Sequence, residues 1–367
     1  MHHRFALTAL LILALYGCGP AIVNLGSGPA PRAPIASPVP TATRAATAAP
    51  TPSATATPTA TAVPTATATP TTAAGPVSEY TVPSAGSRPA GIVAGSDGAL
   101  WFTEHVNGKI GRITTAGSVT EYPLSNAGDE PLGIAAGSDG ALWFTEQDGN
   151  NIGRIATGGS ITEYPLTFSG SIPFGIAAGP DDALWFTEEA IGYIGRITTG
   201  GSITQYAIPS GSSEPVGIVA GPDGALWFIE SGADKVGRIS TSGAFTEYAI
   251  PTASSEPNYI AAGSDGALWF TENAGNKIGR ITTAGAITEY PIATMSAAPY
   301  YIAAGSDGAL WFTEEGAGKI GRITTLGAIT EFAIPTANSE PYGIAAGPDG
   351  ALWFAEAGSS KIGRVHP

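Results

Sequence analysis

One cysteine and four histidines supply all the thiol and imidazole in the 367 residues of this chain. With Cys18 alone, no disulfide forms within the chain and no cysteine-based metal spacing exists. His2 and His3 stand at the start and His366 at the tail, so His105 is the only imidazole inside the body of the protein. No nucleophile elbow, phosphate-binding loop or His-Glu-x-x-His helix is present. The apolar run from Phe5 to Tyr16 is too short for a comfortable transmembrane helix. Acidic residues are absent before Glu79, whereas beyond residue 73 there are 13 basic and 30 acidic residues, a formal charge of −17. A domain of that charge repels phosphate backbones, which excludes nucleic acid as a partner and suits cations or cationic ligands.

The chain divides into three parts. Residues 1–18 read as a targeting segment, with His2, His3 and Arg4 ahead of the apolar run and L-Y-G-C at its end. That ending resembles the bacterial lipobox, which implies lipid attachment at Cys18; an ordinary cleaved secretion signal is the other reading. Both imply export. Residues 19–76 are a Thr/Pro/Ala tract with almost no charge and few large side chains, too poor in apolar surface to repay ordering. Its prolines favour an extended spacer, at about 3.1 Å per residue. Residues 77–366 carry the repeat.

Trp101, Trp143, Trp185, Trp227, Trp269, Trp311 and Trp353 follow one another at intervals of 42 residues. Each copy holds a short apolar run such as F-G-I-A-A-G, an Asp-Gly turn, A-L-W-F-T-E, a polar loop, I-G-R-I-T-T, and I-T-E-Y. These are four strands with tight turns and no helical period, the pattern of a propeller blade. The expected fold is an all-β, seven-bladed propeller. Small residues crowd the axis, and Trp and Phe wedge the sheets apart farther out. Each Trp would remove roughly 150–250 Å² from water, or about 4–6 kcal/mol as an upper bound. V-S-E-Y-T-V-P (77–83) matches a fourth strand but precedes the first unit, and the last unit stops after its third strand. The amino-terminal strand is therefore expected to close the last blade.

One face of the ring is nearly invariant between copies and the other is not. On the variable face the residues after the loop proline are Ala90, Leu132, Phe174, Val216, Asn258, Tyr300 and Tyr342. Asn258, Tyr300 and Tyr342 are expected to form a polar-aromatic wall at the funnel mouth with Phe174 opposite, binding a small-molecule or peptide ligand; the other reading is a channel plug. The Glu three after each Trp and the Arg eleven after it are expected to hold one blade to the next, and the Asp four before it to be a turn residue.

The unit P-Y-G-I-A-A-G-P-D-G-A-L-W-F-T-E…K-I-G-R-I-T-T resembles the virginiamycin B (streptogramin B) lyase family across all seven blades. The resemblance implies a magnesium-dependent carbon–oxygen lyase that opens cyclic depsipeptides by elimination, with a histidine base. It implies Glu340 and Glu356 as metal-side acids. Where the family has histidines after the proline of the sixth and seventh blades, this chain has Tyr300 and Tyr342; His105, from another loop, is the remaining imidazole. Two functions stay open: a surface-tethered binding module with no certain cofactor, or a lyase using Mg2+ with His105, Tyr300 or Tyr342 as base. A lactonase of the gluconolactonase-like propellers would need a central metal cage that Asn258 alone does not make. The expected partners are the funnel ligand and a membrane through the lipid anchor only, with the chain a monomer.

Overall fold

Each 42-residue unit folds into one four-stranded antiparallel sheet, giving seven sheets in a computed structural model that describes residues 77–367. The expected signal at 1–18 with Cys18, and the linker at 19–76, lie outside the described residues. In the first blade the inner strand is Pro89–Ala94, the second Leu100–Glu104, the third Lys109–Ile113 and the outer Val119–Pro123. The inner hairpin turns at Asp97-Gly98, where Gly98 takes φ 73°, a value that glycine adopts without a Cβ clash. The glycine of I-G-R-I has a different reason. A Cβ on Gly279 would lie 2.1 Å from the Phe270 ring, so the side chain of one strand needs the bare backbone of the next.

The ring closes as the chain ends predict. Ser78–Thr81 pairs antiparallel with Lys361–Val365, from Ser78 opposite Arg364 to Thr81 opposite Lys361, and completes the seventh sheet. No blade is left with three strands, so the amino-terminal strand clasps the ring shut.

All seven tryptophans, and the phenylalanines that follow them, are fully buried between sheets. A buried indole N–H needs an acceptor. The turn aspartate supplies it: Trp101 Nε1 donates to Asp97 Oδ1 at 3.1 Å, and the same pairing recurs in every blade to Trp353 and Asp349 at 3.1 Å. The second oxygen of that carboxylate takes Arg112 Nε at 2.6 Å, and the guanidinium carbon stands 5.9 Å from the Trp101 ring centroid. The Asp is thus more than a turn residue, and the repeated Arg binds within its own blade rather than to the next. Both sequence expectations are corrected here.

The links between blades come from other residues. Thr103 Oγ1 donates to the Leu132 carbonyl at 2.7 Å, and Thr145, Thr187, Thr271 and Thr313 reach the next inner strand in the same way. Farther out, Glu121 accepts the N–H and hydroxyl of Ser84, from the loop leaving the preceding blade. Lys109 Nζ donates to both Ser84 and Glu121.

The Glu three after each Trp is fully buried in all seven blades. Burial, with the neighbouring Glu289 and Glu331 adding repulsion, pushes Glu272 and Glu314 up to about 8. A carboxyl raised in the fold stabilises fully below its unfolded value, and that stabilisation is lost as pH rises through the folded value. The turn aspartates run the other way. Burial opposes them, but bonds from Trp101 and Arg112 outweigh it and hold Asp97 below its ordinary value, so this contribution fails only in stronger acid. The melting temperature is therefore expected to peak near about pH 4–5 and fall toward about pH 8.5. Glu272→Gln should flatten part of that fall, and a wild-type profile flat across the range would contradict the assignment.

Candidate functional site

The variable face is built from two loops per blade that bond to each other. The residue after the buried glutamate donates its N–H to the carbonyl of the residue before the loop proline. His105 bonds Arg88, Gln147 bonds Glu130, Glu189 bonds Ile172 and Glu315 bonds Ala298, at 3.1–3.3 Å, and the other three blades repeat it. To present that carbonyl, the pre-proline residue adopts a left-handed backbone in every blade, from φ 43° at Glu214 to 52° at Ile172. A side chain at such φ, ahead of a proline that disfavours it, costs about 1–3 kcal/mol. The strain recurs seven times, so it belongs to the architecture and sets the rim in place.

Inside this rim the post-proline residues converge on the axis. Ala90, Leu132, Phe174 and Val216 are buried in one apolar cluster, and Tyr300 and Tyr342 pack against it. Tyr342 Oη donates to Tyr300 Oη at 2.8 Å, with ring centroids 4.4 Å apart. Phe174 reaches them through Tyr259, 6.0 Å from Phe174 and 5.7 Å from Tyr300. The Asn258 amide donates back to the Glu256 carbonyl at 3.0 Å. The structure therefore brings together Phe174, Tyr300 and Tyr342 and gives Asn258 a local bond.

Two further tyrosines belong to this floor and sequence reasoning passed over them. Tyr259 and Tyr301 stack with centroids 3.4 Å apart, and Tyr301 stands 5.5 Å from Tyr342. Both occupy the position held by glycine in the other five P-x-G-I loops, where a Cβ is crowded: on Gly91 it would lie 2.5 Å from the Leu132 carbonyl. Replacement of that glycine in two consecutive blades was the available signal. Burial pushes the hydroxyls of Tyr259, Tyr300, Tyr301 and Tyr342 upward, so all four stay protonated donors at neutral pH.

Around the floor the rim is acidic. Glu189 and Glu315 each have their carboxyl raised, first by burial and then by Glu214 and Glu340 respectively. Both act electrostatically on Tyr300. Two basic side chains stand among these acids: Arg88 lies 3.7 Å from Glu340, and His105 Nε2 lies 3.6 Å from Glu130 Oε2. Burial lowers the His105 imidazole below its ordinary value and Glu130 acts against that shift, leaving a neutral ring beside a carboxylate.

Glu340 and Glu356 have different surroundings. Glu340 is half-exposed beside Arg88, whereas Glu356 is fully buried, takes the Ser359 hydroxyl at 2.9 Å and neighbours Glu79 and Lys361. Glu356 Oε1 receives no hydrogen bond, so as donors these two carboxylates suit a hard divalent ion such as Mg2+.

The sequence model of the virginiamycin B lyase family matches residues 66–214 and 184–367, and the chain belongs to that family. Among solved structures it is similar to a streptogramin B lyase, at 42% identity and TM-score 0.76 over 79% of this chain and 97% of that one. It is equally similar to the virginiamycin B lyase of Staphylococcus aureus, at 44% identity and TM-score 0.76 over 80% of this chain and 99% of that one. A catalytically inactive histidine-to-alanine variant of the latter, with quinupristin, matches at the same 44% identity and TM-score 0.76 over the same shares of both chains.

The His105–Glu130 pair makes a prediction of its own. By NMR titration, His105 is expected to protonate at lower pH than a free histidine, and Glu130→Gln should lower it further by removing the favourable charge. A value unchanged in the variant would show that the two side chains do not interact in solution.

Proposed function

We propose that this chain is an exported, lipid-anchored member of the family that binds a ligand in its funnel and does not open it. The observation that carries this reading is the hydroxyl–hydroxyl bond between Tyr342 and Tyr300. These tyrosines stand where the resemblance places the family's histidines, and burial raises both. A protonated phenol held by another phenol donates hydrogen bonds; it does not abstract a proton beside a carbonyl at neutral pH.

The same geometry indicates the ligand's chemistry. Tyr300, Tyr301 and Tyr342 are partly open above the buried Phe174 and Tyr259, and Glu189, Glu214, Glu315 and Glu340 add negative charge around them. An apolar or aromatic body bearing a cationic group meets both, the rings contributing cation–π attraction. The Staphylococcus aureus variant supports a separation of binding from chemistry, since that protein is described as catalytically inactive and with quinupristin.

A second reading is favoured by one observation, the neutral His105 imidazole oriented by Glu130. Here His105 takes the proton beside the ester carbonyl. Glu340 and Glu356 would hold Mg2+, which supplies positive charge for the enolate-like oxygen.

A type B streptogramin with magnesium distinguishes the two. With the full chain, calorimetry is expected to show binding while mass spectrometry shows the ring intact. Tyr300→Ala should weaken binding at least about fivefold, the loss of a buried aromatic contact. Ring opening that disappears in His105→Ala would overturn the binding reading in favour of the lyase.

A further inference from the structure

The seven blades are seven copies of one buried electrostatic site, so the copy that departs from the rest can be read against six internal controls. In the first, fourth, fifth, sixth and seventh blades the buried glutamate and the outer-strand glutamate share a lysine, as Glu104 and Glu121 share Lys109. The third blade drops one charge of each sign: Tyr193 replaces the lysine and Gln205 the outer glutamate, and the Gln205 amide donates to both oxygens of Glu188 at 2.9 and 2.8 Å. With their carboxyls ionised both designs carry the same net charge, −1: two glutamates with one lysine in the five blades, and Glu188 alone in the third.

The second blade does the opposite. Asn151 stands where five blades have lysine, which removes a positive charge. Asp129 stands where the other blades have serine or alanine, which adds a negative one. The carboxylates of Asp129, Glu146 and Glu163 consequently lie within 4.8 Å of one another, the first two buried and Glu163 partly open to solvent. The bonds they do receive leave oxygens free. Asn151 donates to Glu146 Oε2 at 2.8 Å, Asn126 to Asp129 Oδ1 at 2.8 Å, and Ser125 to both oxygens of Glu163 at 2.9 Å. Glu146 Oε1 is fully buried and takes no hydrogen bond, as in five sister blades; what sets the second blade apart is that two more carboxylates, and no lysine, stand beside it.

We propose that Asp129, Glu146 and Glu163 bind a calcium ion at the variable-face end of the second blade, in the place that a lysine ammonium takes in five other blades. Three clustered carboxylates, two of them out of water, need either protons or a compensating cation, and among the described residues no lysine or arginine pairs with them. The donors are all hard oxygens with no sulfur or imidazole, which excludes a zinc or copper preference. Calcium accepts carboxylates at about 2.3–2.6 Å in irregular geometry and spans such a group, whereas magnesium demands a tighter octahedron at about 2.0–2.1 Å. Ser125 and Glu163, on the solvent side, leave a path for the ion.

Full-length protein freed of metal with a chelator and titrated with calcium chloride tests this. Calorimetry is expected to show one ion bound per chain at this site, and the melting temperature should rise by roughly 5 °C at a hundredfold excess over Kd. Asn151→Lys restores the internal ammonium; it should abolish this binding while the metal-free melting temperature stays level or rises. Asp129→Ser, the residue of five sister blades, should weaken binding at least about tenfold and serves if the lysine variant does not fold. A wild-type protein with neither heat nor thermal shift would overturn the proposal, and so would either folded variant binding calcium as the wild type does. In that case the three carboxyls share protons instead of an ion.

Discussion

The ring rests on one constraint: a tryptophan can wedge two sheets apart only if its indole N–H finds an acceptor in the dry space it creates. The turn aspartate meets that need in all seven blades, and its second oxygen anchors the arginine that covers the ring. Turn, wedge and third strand are thereby fixed by a single carboxylate. A residue that looked like turn chemistry is the centre of the blade's polar network, and the repeat tolerates almost no change on that face for this reason.

The opposite face is held differently. Its two loops bond backbone to backbone, and the threonine that ties one inner strand to the next uses only main-chain groups, accepting the Gly91 N–H and donating to the Leu132 carbonyl in the first blade. Side chains after the proline are then released from structural duty. Five blades keep the threonine; Ile229 and Ala355 replace it in the fourth and seventh without disturbing the sheets. The post-proline position carries Tyr300 and Tyr342 in the sixth and seventh blades, and the glycine position beside it carries Tyr259 and Tyr301 in the fifth and sixth; together they meet Phe174 over the axis.

Charge is the other organising quantity. The buried glutamates lie where water does not reach, so each needs either a proton or a partner, and the blades solve this with lysine, with glutamine, or in the second blade with neither. The rim continues the theme toward solvent, where Glu189 and Glu315 act on the Tyr300 hydroxyl, Arg88 pairs with Glu340 and the neutral His105 ring stands beside Glu130. Family membership fixes the scaffold, and these electrostatic details are this chain's own.

The fold was written into the sequence almost completely, because a 42-residue period with no insertion leaves one arrangement of strands, and because an unpaired strand at one end matches a missing strand at the other. Phe174, Tyr300 and Tyr342 were also visible, as the residues that vary in an otherwise constant loop. Their contact with Tyr259 and Tyr301 was not: those two replace glycines on the inner strand, and only the curvature of the ring shows that a side chain there points over the axis. The partners of the repeated Arg and Glu, and the meeting of Asp129 with Glu146 and Glu163, were likewise decided by tertiary structure. Repeat spacing orders residues along the chain, but whether a charge reaches its own blade or the next depends on sheet twist and on which side chains exclude water.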